Sequence, residues 1–543
     1  MDLQNRGDHM ERKAGILRPW TGALIVTLVA WFAFTLPDHP DAIGVSAFAR
    51  LPLEWPLLML VLLVVPNALR RPVGLLSALL LLLILFLKLA DIGTQAAFQR
   101  PFNPYLDVKM LADGWNLMSG TIGTLAAMAG IVVVLLGLFL VLFLFLKAAR
   151  WLADTPRPGR SWLVLGLTVL TVVGGLAVLF GTPRVEASMP SYLSNRLALV
   201  IRSVEDMHVF EADLAKGEGP RSGAGLFSRL ENKDFVLIFV ESYGRSAIED
   251  PRYAATTLPR LKRVEAEIAG TGLASASAWV TSPTVGGLSW LAHGTLLSGL
   301  WIDSQARYDR LMISSQPSLN RLFAEAGWKS IAAMPAITMD WPESAYYGYD
   351  QVLAAADLDY RGKPFNWVTM PDQYTLAAFE RLGRTPARSA GERVMAEVAL
   401  ISSHAPWTPV ARLVDWDAVG DGSIFNAQAE SGDPPSVVWA DPERVRRQYI
   451  QTVDYALETL GSYMARFGKD TVFVILGDHQ PAAIITGPNA SRAVPIHVVS
   501  ADRELVARFE REGFLSGMVP AGQTREWPMD GMRQVLIDLF SAR

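Results

Sequence analysis

The sequence contains no cysteine. That absence excludes disulfides, thiolate zinc sites and cysteine nucleophiles, although it does not fix the redox compartment. Charge is also sparse, because only 19% of the residues are charged and the formal net charge is −4. A chain with this balance offers no excess of basic residues for nucleic acid, so we expect no nucleic-acid partner.

The chain is too apolar for one soluble protein of its length, with 51% hydrophobic residues and a mean hydropathy of +0.24. The excess of apolar residues lies in the N-terminal part of the chain, in five runs that are long enough to cross a bilayer. These runs cover residues 20–37, 51–69, 72–93, 121–147 and 161–181. The change in composition near residue 185 predicts a five-span transmembrane domain over residues 1–184, a juxtamembrane helix and linker over 185–229, and a globular domain over 230–543.

Basic residues predict how these runs are oriented. They cluster before the first run, between the second and third, and between the fourth and fifth, at Arg6, Arg12, Lys13, Arg18, Arg70, Arg71, Lys147, Arg150, Arg157 and Arg160. By the positive-inside rule, the N-terminus is cytoplasmic and the globular domain lies outside the membrane. The first run lacks a small-residue cleavage site and four more follow it, which indicates an uncleaved anchor.

In the globular domain, short apolar runs alternate with helical patterns. Such alternation predicts an α/β fold with a mostly parallel sheet covered by helices. Phe235–Val240 is uniformly apolar, as expected of a strand buried on both faces. The other predicted strands are Ser330–Met334, Val398–Ile401, Thr471–Leu476 and Val494–Val499, and the predicted helices cover 256–270, 317–326, 371–382 and 442–466.

Polar residues follow three of the predicted strands directly. Glu241 comes after the first, the pair Asp478 and His479 after the fourth, and Ser403 with His404 after the third. The carboxyl ends of strands form the ligand crevice of open α/β sheets, so these groups are expected to converge. Carboxylates, an imidazole and a hydroxyl are ligands that suit a divalent metal ion.

The stretch 281–299 supplies the candidate nucleophile. Gly286 and Gly287 permit a sharp turn, and an apolar helical pattern then runs to about Gly299, so Ser289 falls in the first turn of a helix. Backbone N–H groups and the helix macrodipole favour an anion or an alkoxide there. A serine at a helix start is usually only a cap, however, so this position alone does not predict catalysis.

Four motifs in this order resemble those of a known superfamily. They are residues 240–244 (Val-Glu-Ser-Tyr-Gly), the Ser289 segment, 403–406 (Ser-His-Ala-Pro) and 477–479 (Gly-Asp-His). Together they resemble the sulfatase-like branch of the alkaline phosphatase superfamily. With five apolar runs ahead of them, the chain is most similar to lipoteichoic acid synthases and to phosphoethanolamine or phosphoglycerol transferases. The resemblance extends over nearly the whole length.

The resemblance implies that Glu241, Ser289, Asp478 and His479 bind one zinc or manganese ion. Ser289 would replace the family's threonine nucleophile, and Thr284 is the rival, although it precedes the Gly-Gly turn. Sulfatases convert their nucleophile to formylglycine under the direction of a nearby proline and arginine. Leu291 and His293 occupy those positions here. The resemblance therefore implies an unmodified hydroxyl and argues against sulfate ester hydrolysis.

The same resemblance implies roles for residues around the nucleophile. His404 would protonate the leaving group or bind phosphate. His293 is a candidate phosphate contact, and a core histidine is an equally good interpretation. Arg307, Trp341 and the stretch Tyr346–Asp350 are expected to line the substrate cleft. His497 lies inside a predicted strand and is expected to be structural.

The expected function is the transfer of a phospholipid head group through a covalent Ser289 intermediate. The donor would be phosphatidylglycerol or phosphatidylethanolamine, and the acceptor a glycan or lipid in the envelope of a bacterium. The enzyme would be a multi-pass protein of the cytoplasmic membrane with its catalytic domain outside. Two alternatives stay open, namely a membrane-anchored phosphodiesterase or sulfatase that hydrolyses its substrate, and a catalytically inactive sulfatase-like sensor or scaffold.

Overall fold

The computed structural model describes residues 2–107, 115, 124–216, 225–230, 232–521 and 525–542. The chain divides into two compact units. The first comprises residues 1–96 with 100–205, and the second comprises residues 97–99 with 206–543. Residues 217–224 of the predicted linker lie outside the described residues, as do the first three residues of the fourth predicted span.

Four helices among the described residues are long and apolar enough to cross a membrane, namely Leu17–Thr35, Asn67–Phe98, Thr124–Ala153 and Arg157–Leu179. The second predicted span forms only the 11-residue helix Glu54–Val64. A bilayer core needs about 20 helical residues, so a fifth full-length spanning helix is not confirmed. This helix is short because Pro66, which lacks a backbone N–H, follows its end.

Contacts within the first unit identify its two ends. Arg70 Nη1 lies 3.1 Å from Asp154 Oδ1, whereas Leu51–Pro52 pairs in parallel with Val185–Glu186. Helix Arg157–Leu179 connects the two contacts, so they lie at opposite ends of the unit. Among the described part of the first 216 residues, the remaining helices are Asp2–Thr35, which contains the first apolar stretch, Val45–Phe48, Arg70–Phe98 and Met189–Lys216, with 3-10 turns at Pro40–Ala42 and Asn67–Leu69.

The second unit contains a nine-stranded sheet. In chain order the strands are β1 Asp234–Val240, β2 Ala274–Thr281, β3 Trp328–Met334, β4 Gln351–Ala354, β5 Arg393–Leu400, β6 Thr471–Gly477, β7 Ala493–Ser500, β8 Leu515–Ser516 and β9 Glu526–Pro528. Their spatial order is β8-β2-β7-β6-β1-β5-β3-β4, and β9 also pairs with β2.

The sheet is mixed, and the prediction of a mostly parallel sheet is not confirmed. Strands β6, β1, β5, β3 and β4 run parallel to one another. Strand β7 runs antiparallel to both β6 and β2. The β6–β7 connection contains only the four-residue helix Ala483–Thr486, which is too short for the helical crossover that usually joins parallel strands.

All five predicted strands are present, as β1, β3, β5, β6 and β7. Strand β5 begins before its predicted run because Glu397 interrupts the apolar pattern. Strand β2 was not predicted, since its first half alternates alanine with serine and contains no apolar run. The four predicted helices are confirmed as Pro251–Gly270, Leu319–Glu325, Asp372–Phe379 and Pro442–Phe467.

The other helices of this unit are Arg245–Glu249, Ser289–Ser298, Gln305–Met312, Ser344–Tyr347, Thr385–Ser389, Asn426–Ala429, Pro435–Val438, Arg503–Arg511 and Met529–Phe540, with 3-10 or π turns at Ser228–Leu230, Glu380–Arg384, Trp416–Ala418 and Ser423–Phe425.

Alternate residues of β1 enter two separate cores. Phe235, Leu237 and Phe239 pack on one face of the sheet. Val236, Ile238 and Val240 pack on the other. The central strand is therefore buried on both faces, as predicted.

Strand register brings two polar strand ends together. Val240 of β1 is paired with Gly477 of β6, so Glu241 and Asp478 leave the same edge of the sheet side by side. A Cβ atom at Gly477 would lie 1.9 Å from the carbonyl oxygen of Tyr243. Only glycine therefore permits this close approach of the two strand ends.

His497 lies in β7 and is fully buried. Ser277 Oγ donates to the Gly517 carbonyl at 2.6 Å, so it accepts from His497 Nδ1 at 2.7 Å. The Tyr243 hydroxyl then donates to His497 Nε2 at 3.2 Å. This histidine is therefore neutral, and burial lowers its pKa from 6.5 to about 3.

We predict that His497 makes the protein sensitive to acid. Its pKa is lower in the folded state, so the unfolded chain binds more protons between about pH 3 and pH 6.5. The stabilisation is complete above pH 6.5 and is lost as the pH falls. Between pH 7 and pH 5, the unfolding free energy of the wild type should therefore fall by about 2 kcal/mol more than that of His497→Gln. Denaturant unfolding of the full chain at both pH values measures this difference.

The matched control is His208→Gln, because the His208 side chain is exposed. This variant should follow the pH dependence of the wild type. An unchanged pH dependence in His497→Gln would contradict the assignment.

Candidate metal centre and active site

Glu241, Asp478 and His479 form a buried cluster in which one ligand atom from each residue lies within 4.8 Å of the others. Ser289 Oγ lies 3.1 Å from Glu241 Oε2 and 3.2 Å from His479 Nε2. The structure thus brings together the four side chains that the sequence motifs singled out. They come from three separate parts of the chain.

Hydrogen bonds to neighbouring groups fix the orientation of His479 and Asp478. His479 Nδ1 donates to the Gln480 carbonyl at 2.9 Å, which leaves the Nε2 lone pair directed at the cluster. Asp478 Oδ1 accepts from the backbone N–H groups of Ser242 at 2.8 Å and His479 at 2.6 Å. Its Oδ2 lies 3.7 Å from His479 Nε2. Hydrogen bonds of this kind orient metal ligands in proteins.

The charges of the cluster also fit a cation. Burial and the neighbouring Glu241 carboxylate raise the pKa of Asp478 well above its usual range. Burial would also raise the pKa of Glu241, but the His479 and His404 imidazoles overcome it and lower that pKa to about 2. Two buried carboxylates side by side are costly unless a positive charge accompanies them. The donor set of carboxylates, imidazole and hydroxyl suits a divalent ion such as zinc or manganese.

A strained turn presents Ser289 to this cluster. Gly286 has φ of 77°, and Leu288 has φ of 64°, which a side chain with a Cβ atom rarely adopts. Helix Ser289–Ser298 starts immediately afterwards, so Ser289 occupies its first position as the sequence predicted. Such strain is concentrated at functional sites, where it positions a reactive group.

Thr284 is placed differently from Ser289. Its Oγ1 donates to the Gly287 carbonyl at 2.7 Å, and the residue is buried. The hydroxyl proton therefore serves to hold the turn. Ser289, by contrast, directs its hydroxyl to Glu241 and His479.

A cavity of about 320 Å³ opens beside Ser289. Of the residues that the motifs predicted, it is lined by Glu241, Ser289, His293, Trp341, His404 and Asp478. Most of its other walls are apolar or aromatic and include Trp290, Tyr308, Met334, Ile337, Tyr347 and Trp367. A largely apolar cavity with a few polar groups at one end is typical of a small-molecule site.

His404 is held from two sides. Its Nδ1 lies 2.5 Å from the Ala405 carbonyl oxygen, which leaves Nε2 as the free ring nitrogen. Its ring stacks on Trp367 at 3.8 Å between centroids. Trp367 was not predicted, because a single tryptophan in a loop carries no periodic signal.

His293 lies partly in the core and partly at the wall of the cavity. It lines the cavity, and its ring stacks on buried Phe239 at 3.7 Å. Its Nδ1 lies 2.7 Å from Glu397 Oε1. Glu397 is itself 1% exposed and accepts from the Tyr349 hydroxyl at 2.5 Å. Glu397 was missed, although a lone glutamate inside an apolar strand is a signal that could have found it.

Arg307 does not line this cavity. Its Nη2 and Nε atoms pair with Asp206 at 2.5 and 3.0 Å, and Nη1 donates to the Trp301 carbonyl at 2.6 Å. All three nitrogen atoms of the guanidinium therefore contact protein groups. This geometry does not support the predicted contact between Arg307 and the substrate. Within the stretch Tyr346–Asp350, Tyr347 is the residue that lines the cavity.

No protein-family model matches the sequence, and no curated protein does. Solved structures do match. The lipoteichoic acid synthase LtaP from Listeria monocytogenes matches at 13% identity with a TM-score of 0.35, over 49% of this chain and 65% of that chain, which is just under two thirds of its length. The C-terminal periplasmic domain of EcEptC from Escherichia coli, in a complex with Zn, matches at 15% identity with a TM-score of 0.37, over 59% of this chain and 83% of that chain.

A phosphoglycerol transferase, GacH from Streptococcus pyogenes, in complex with sn-glycerol-1-phosphate, matches at 11% identity with a TM-score of 0.38, over 62% of this chain and 79% of that chain. Sulfatases and a phosphonate monoester hydrolase match as well. A protein in the alkaline phosphatase superfamily from Vibrio parahaemolyticus matches at 16% identity with a TM-score of 0.35, over 57% of this chain and 67% of that chain. At such identities and scores these matches do not identify the reaction, so the case for it rests on the residues of the site.

We predict that Glu241→Gln and Asp478→Asn each abolish metal binding. Loss of an outer hydrogen-bond partner alone costs roughly 10–100-fold in metal affinity, so loss of a ligand should cost at least about 100-fold. Elemental analysis of the purified full chain after dialysis measures the bound metal. Glu397→Gln is the matched control, because this buried carboxylate lines the same cavity outside the cluster. Equal metal content in all variants would contradict a metal centre at Glu241 and Asp478.

Proposed function

We propose that this protein transfers a phosphoglycerol or phosphoethanolamine head group from a membrane phospholipid to a glycan or lipid acceptor, through a covalent intermediate on Ser289. The observation that carries this proposal is the position of Ser289 Oγ, at hydrogen-bond distance from both Glu241 and His479 in a buried ligand cluster. The choice of a phospholipid substrate is supported by the four sequence motifs and by the apolar helices ahead of the site.

Glu241, Ser289, Asp478 and His479 would hold one zinc or manganese ion. When bound, such an ion supplies positive charge for the serine alkoxide and for the phosphoryl oxygens. The protein contributes the strained turn that aims Ser289 and the hydrogen bonds that fix Asp478 and His479. These groups are positioned before substrate arrives, which lowers the reorganisation needed during reaction.

The reaction has two halves with balanced proton transfers. Ser289 gives up its proton to solvent and attacks phosphorus, and the bond from phosphorus to the diacylglycerol oxygen breaks. His404, carrying a proton on Nε2, gives that proton to the departing oxygen. In the second half, the acceptor hydroxyl gives its proton to His404 and attacks phosphorus, the bond from phosphorus to Ser289 breaks, and Ser289 regains a proton from solvent. The free Nε2 of His404 and its stacking on Trp367 support this role.

The aromatic walls of the cavity support transfer to an organic acceptor. Trp290, Trp341 and Trp367 line it together with His293, whose free ring nitrogen is available for a phosphate contact. Apolar walls limit the entry of water, which would otherwise compete with the acceptor. Hydrolysis is the alternative outcome, in which water takes the place of the acceptor.

We further propose that the protein crosses the bacterial cytoplasmic membrane five times, with the catalytic domain outside. Arg70 beside Asp154 at one end of the first unit, and Leu51 beside Val185 at the other, support a crossing by residues 53–69. Helix Glu54–Val64 is about 17 Å long, and Leu53, residues 65–66 and the 3-10 turn Asn67–Leu69 lengthen the path to about 30 Å, the thickness of a hydrocarbon core. Arg70 then lies on the cytoplasmic side, as the positive-inside rule requires.

We predict that Ser289 becomes covalently modified. Incubation of the purified full chain with phosphatidylglycerol or phosphatidylethanolamine should add the mass of the head-group phosphate to the peptide that contains Ser289. Ser289→Ala should abolish the adduct and reduce turnover by at least about 1,000-fold, because the residue forms the intermediate. Thr284→Val, at the neighbouring hydroxyl, should retain the adduct.

Radiolabelled donor separates transfer from hydrolysis. Label that reaches a glycan or lipid acceptor supports the transferase, whereas free glycerol phosphate or phosphoethanolamine as the sole product supports a hydrolase. An adduct on Thr284, or metal-loaded protein with no turnover of either phospholipid, would contradict the proposal.

The absence of native cysteine allows a direct test of the topology. Ala501→Cys places a thiol at an exposed site of the catalytic domain, and Asp154→Cys places one at the predicted cytoplasmic end of the helices. A membrane-impermeant maleimide should label Ala501→Cys in intact spheroplasts and Asp154→Cys only after permeabilisation. Labelling of Ala501→Cys only after permeabilisation would indicate an even number of crossings and contradict the proposed topology.

A further inference from the structure

Another cavity, which is lined by polar groups, lies within the first unit. It has a volume of about 590 Å³. Its lining consists of residues 34–38, some residues of 41–50 and of 186–196, and Lys88. Three basic and three acidic side chains line it, namely Arg50, Lys88, Arg196, Asp38, Asp41 and Glu186. A cavity with this balance of charge is unusual beside helices that are otherwise apolar.

Lys88 is the most distinctive residue of this cavity. It lies on the apolar helix Arg70–Phe98, and it is only 4% exposed. Its Nζ donates to the Phe34 carbonyl at 2.8 Å and lies 5.8 Å from the centroid of the Tyr192 ring. Among the described residues, no carboxylate lies within 4.0 Å of this ammonium. Two of its three N–H groups therefore remain available to an anion in the cavity that it lines.

A buried hydrogen-bond network fixes the wall next to Lys88. Asp91 is fully buried and accepts from the Tyr192 hydroxyl at 2.7 Å, from Arg196 Nη2 at 2.7 Å and from the Phe102 backbone N–H at 2.9 Å. Arg196 Nη1 also donates to the Phe102 carbonyl at 2.8 Å. Tyr192 and Arg196 both line the cavity, so Asp91 holds two of its polar groups in place.

The acidic residues lie on more exposed parts of the lining. Glu186 is paired with Arg50 at 3.2 Å. Asp38 and Asp41 are exposed, and Asp38 forms no ion pair among the described residues. A ligand with a phosphate at Lys88 and a cation at Asp38 and Asp41 would satisfy both kinds of group.

We propose that this cavity binds the head group of a zwitterionic phospholipid that carries a primary ammonium, such as phosphatidylethanolamine. Lys88 lies about twenty residues beyond the start of the apolar segment at Asn67, which is the length of a hydrocarbon core and brings the ammonium to its edge. Phe34, Leu36 and Ile43 also line the cavity and offer apolar contacts to the lipid. This cavity belongs to the first unit, whereas Glu241, Asp478 and His479 belong to the second, and its ligand does not depend on the reaction proposed for Ser289.

Lipid retention by the full chain tests this site without any need for turnover. The protein is reconstituted in nanodiscs of defined phosphatidylethanolamine and phosphatidylglycerol content, and co-purifying lipid is measured by native mass spectrometry. We expect preferential retention of phosphatidylethanolamine, and at least a tenfold loss of that retention in Lys88→Met. Lys147→Met, at an exposed lysine of another apolar helix, is the matched control and should retain the lipid.

The exposed acids provide a second variant that leaves the buried network intact. Asp38→Asn combined with Asp41→Asn should remove the preference for phosphatidylethanolamine over phosphatidylglycerol. Equal retention of both lipids by the wild type, or an unchanged preference in either the Lys88 or the double aspartate variant, would overturn the proposal. Displacement by soluble glycerophosphoethanolamine at concentrations equal to those of the lipid would instead assign the site to a free phosphodiester.

Discussion

The site in the second unit depends on one physical constraint, which is that two buried carboxylates lie side by side. Parallel pairing of β1 with β6 places Glu241 next to Asp478 in a region from which water is largely excluded. In that environment their mutual repulsion and their desolvation both oppose ionisation. A cation between them relieves both penalties. The turn at Gly477, the backbone donors to Asp478 and the orientation of His479 all keep this cluster in place.

The same cluster gives a physical reason for the position of Ser289. A serine hydroxyl is a weak nucleophile unless a base or a metal ion activates it. Here the hydroxyl sits at a helix start, beside two groups of the cluster, on a turn that only unusual backbone angles allow. The cavity in front of it carries aromatic walls and two further imidazoles. Taken together, these features favour phosphoryl transfer over a purely structural role for the cluster.

Much of this arrangement was predictable because it is local or periodic. Uniformly apolar runs predicted the central strands, and polar residues directly after them predicted the cluster at one sheet edge. The turn before Ser289 could be predicted from its two glycines. Strand β2 was missed because alanine and serine carry no apolar pattern, and the direction of β7 was missed because it depends on how the chain returns after β6.

Long-range side-chain contacts were less accessible to sequence reasoning. Glu397 supports His293 across more than a hundred residues, and Trp367 stacks on His404 from a separate loop. Arg307 was predicted to line the substrate cleft, but its side chain pairs with Asp206 instead. The spacing of residues in the sequence does not reveal this pair. The apolar run near residue 60 was long enough to predict a span, yet Pro66 follows the end of the short helix that it forms.

The most direct test of the account is an anomalous-scattering map of the purified protein loaded with zinc. We predict one ion about 2.0–2.2 Å from oxygen or nitrogen atoms of Glu241, Asp478 and His479, with Ser289 Oγ directed at the same ion. An ion bound at other residues, or Ser289 turned away from an occupied cluster, would contradict it.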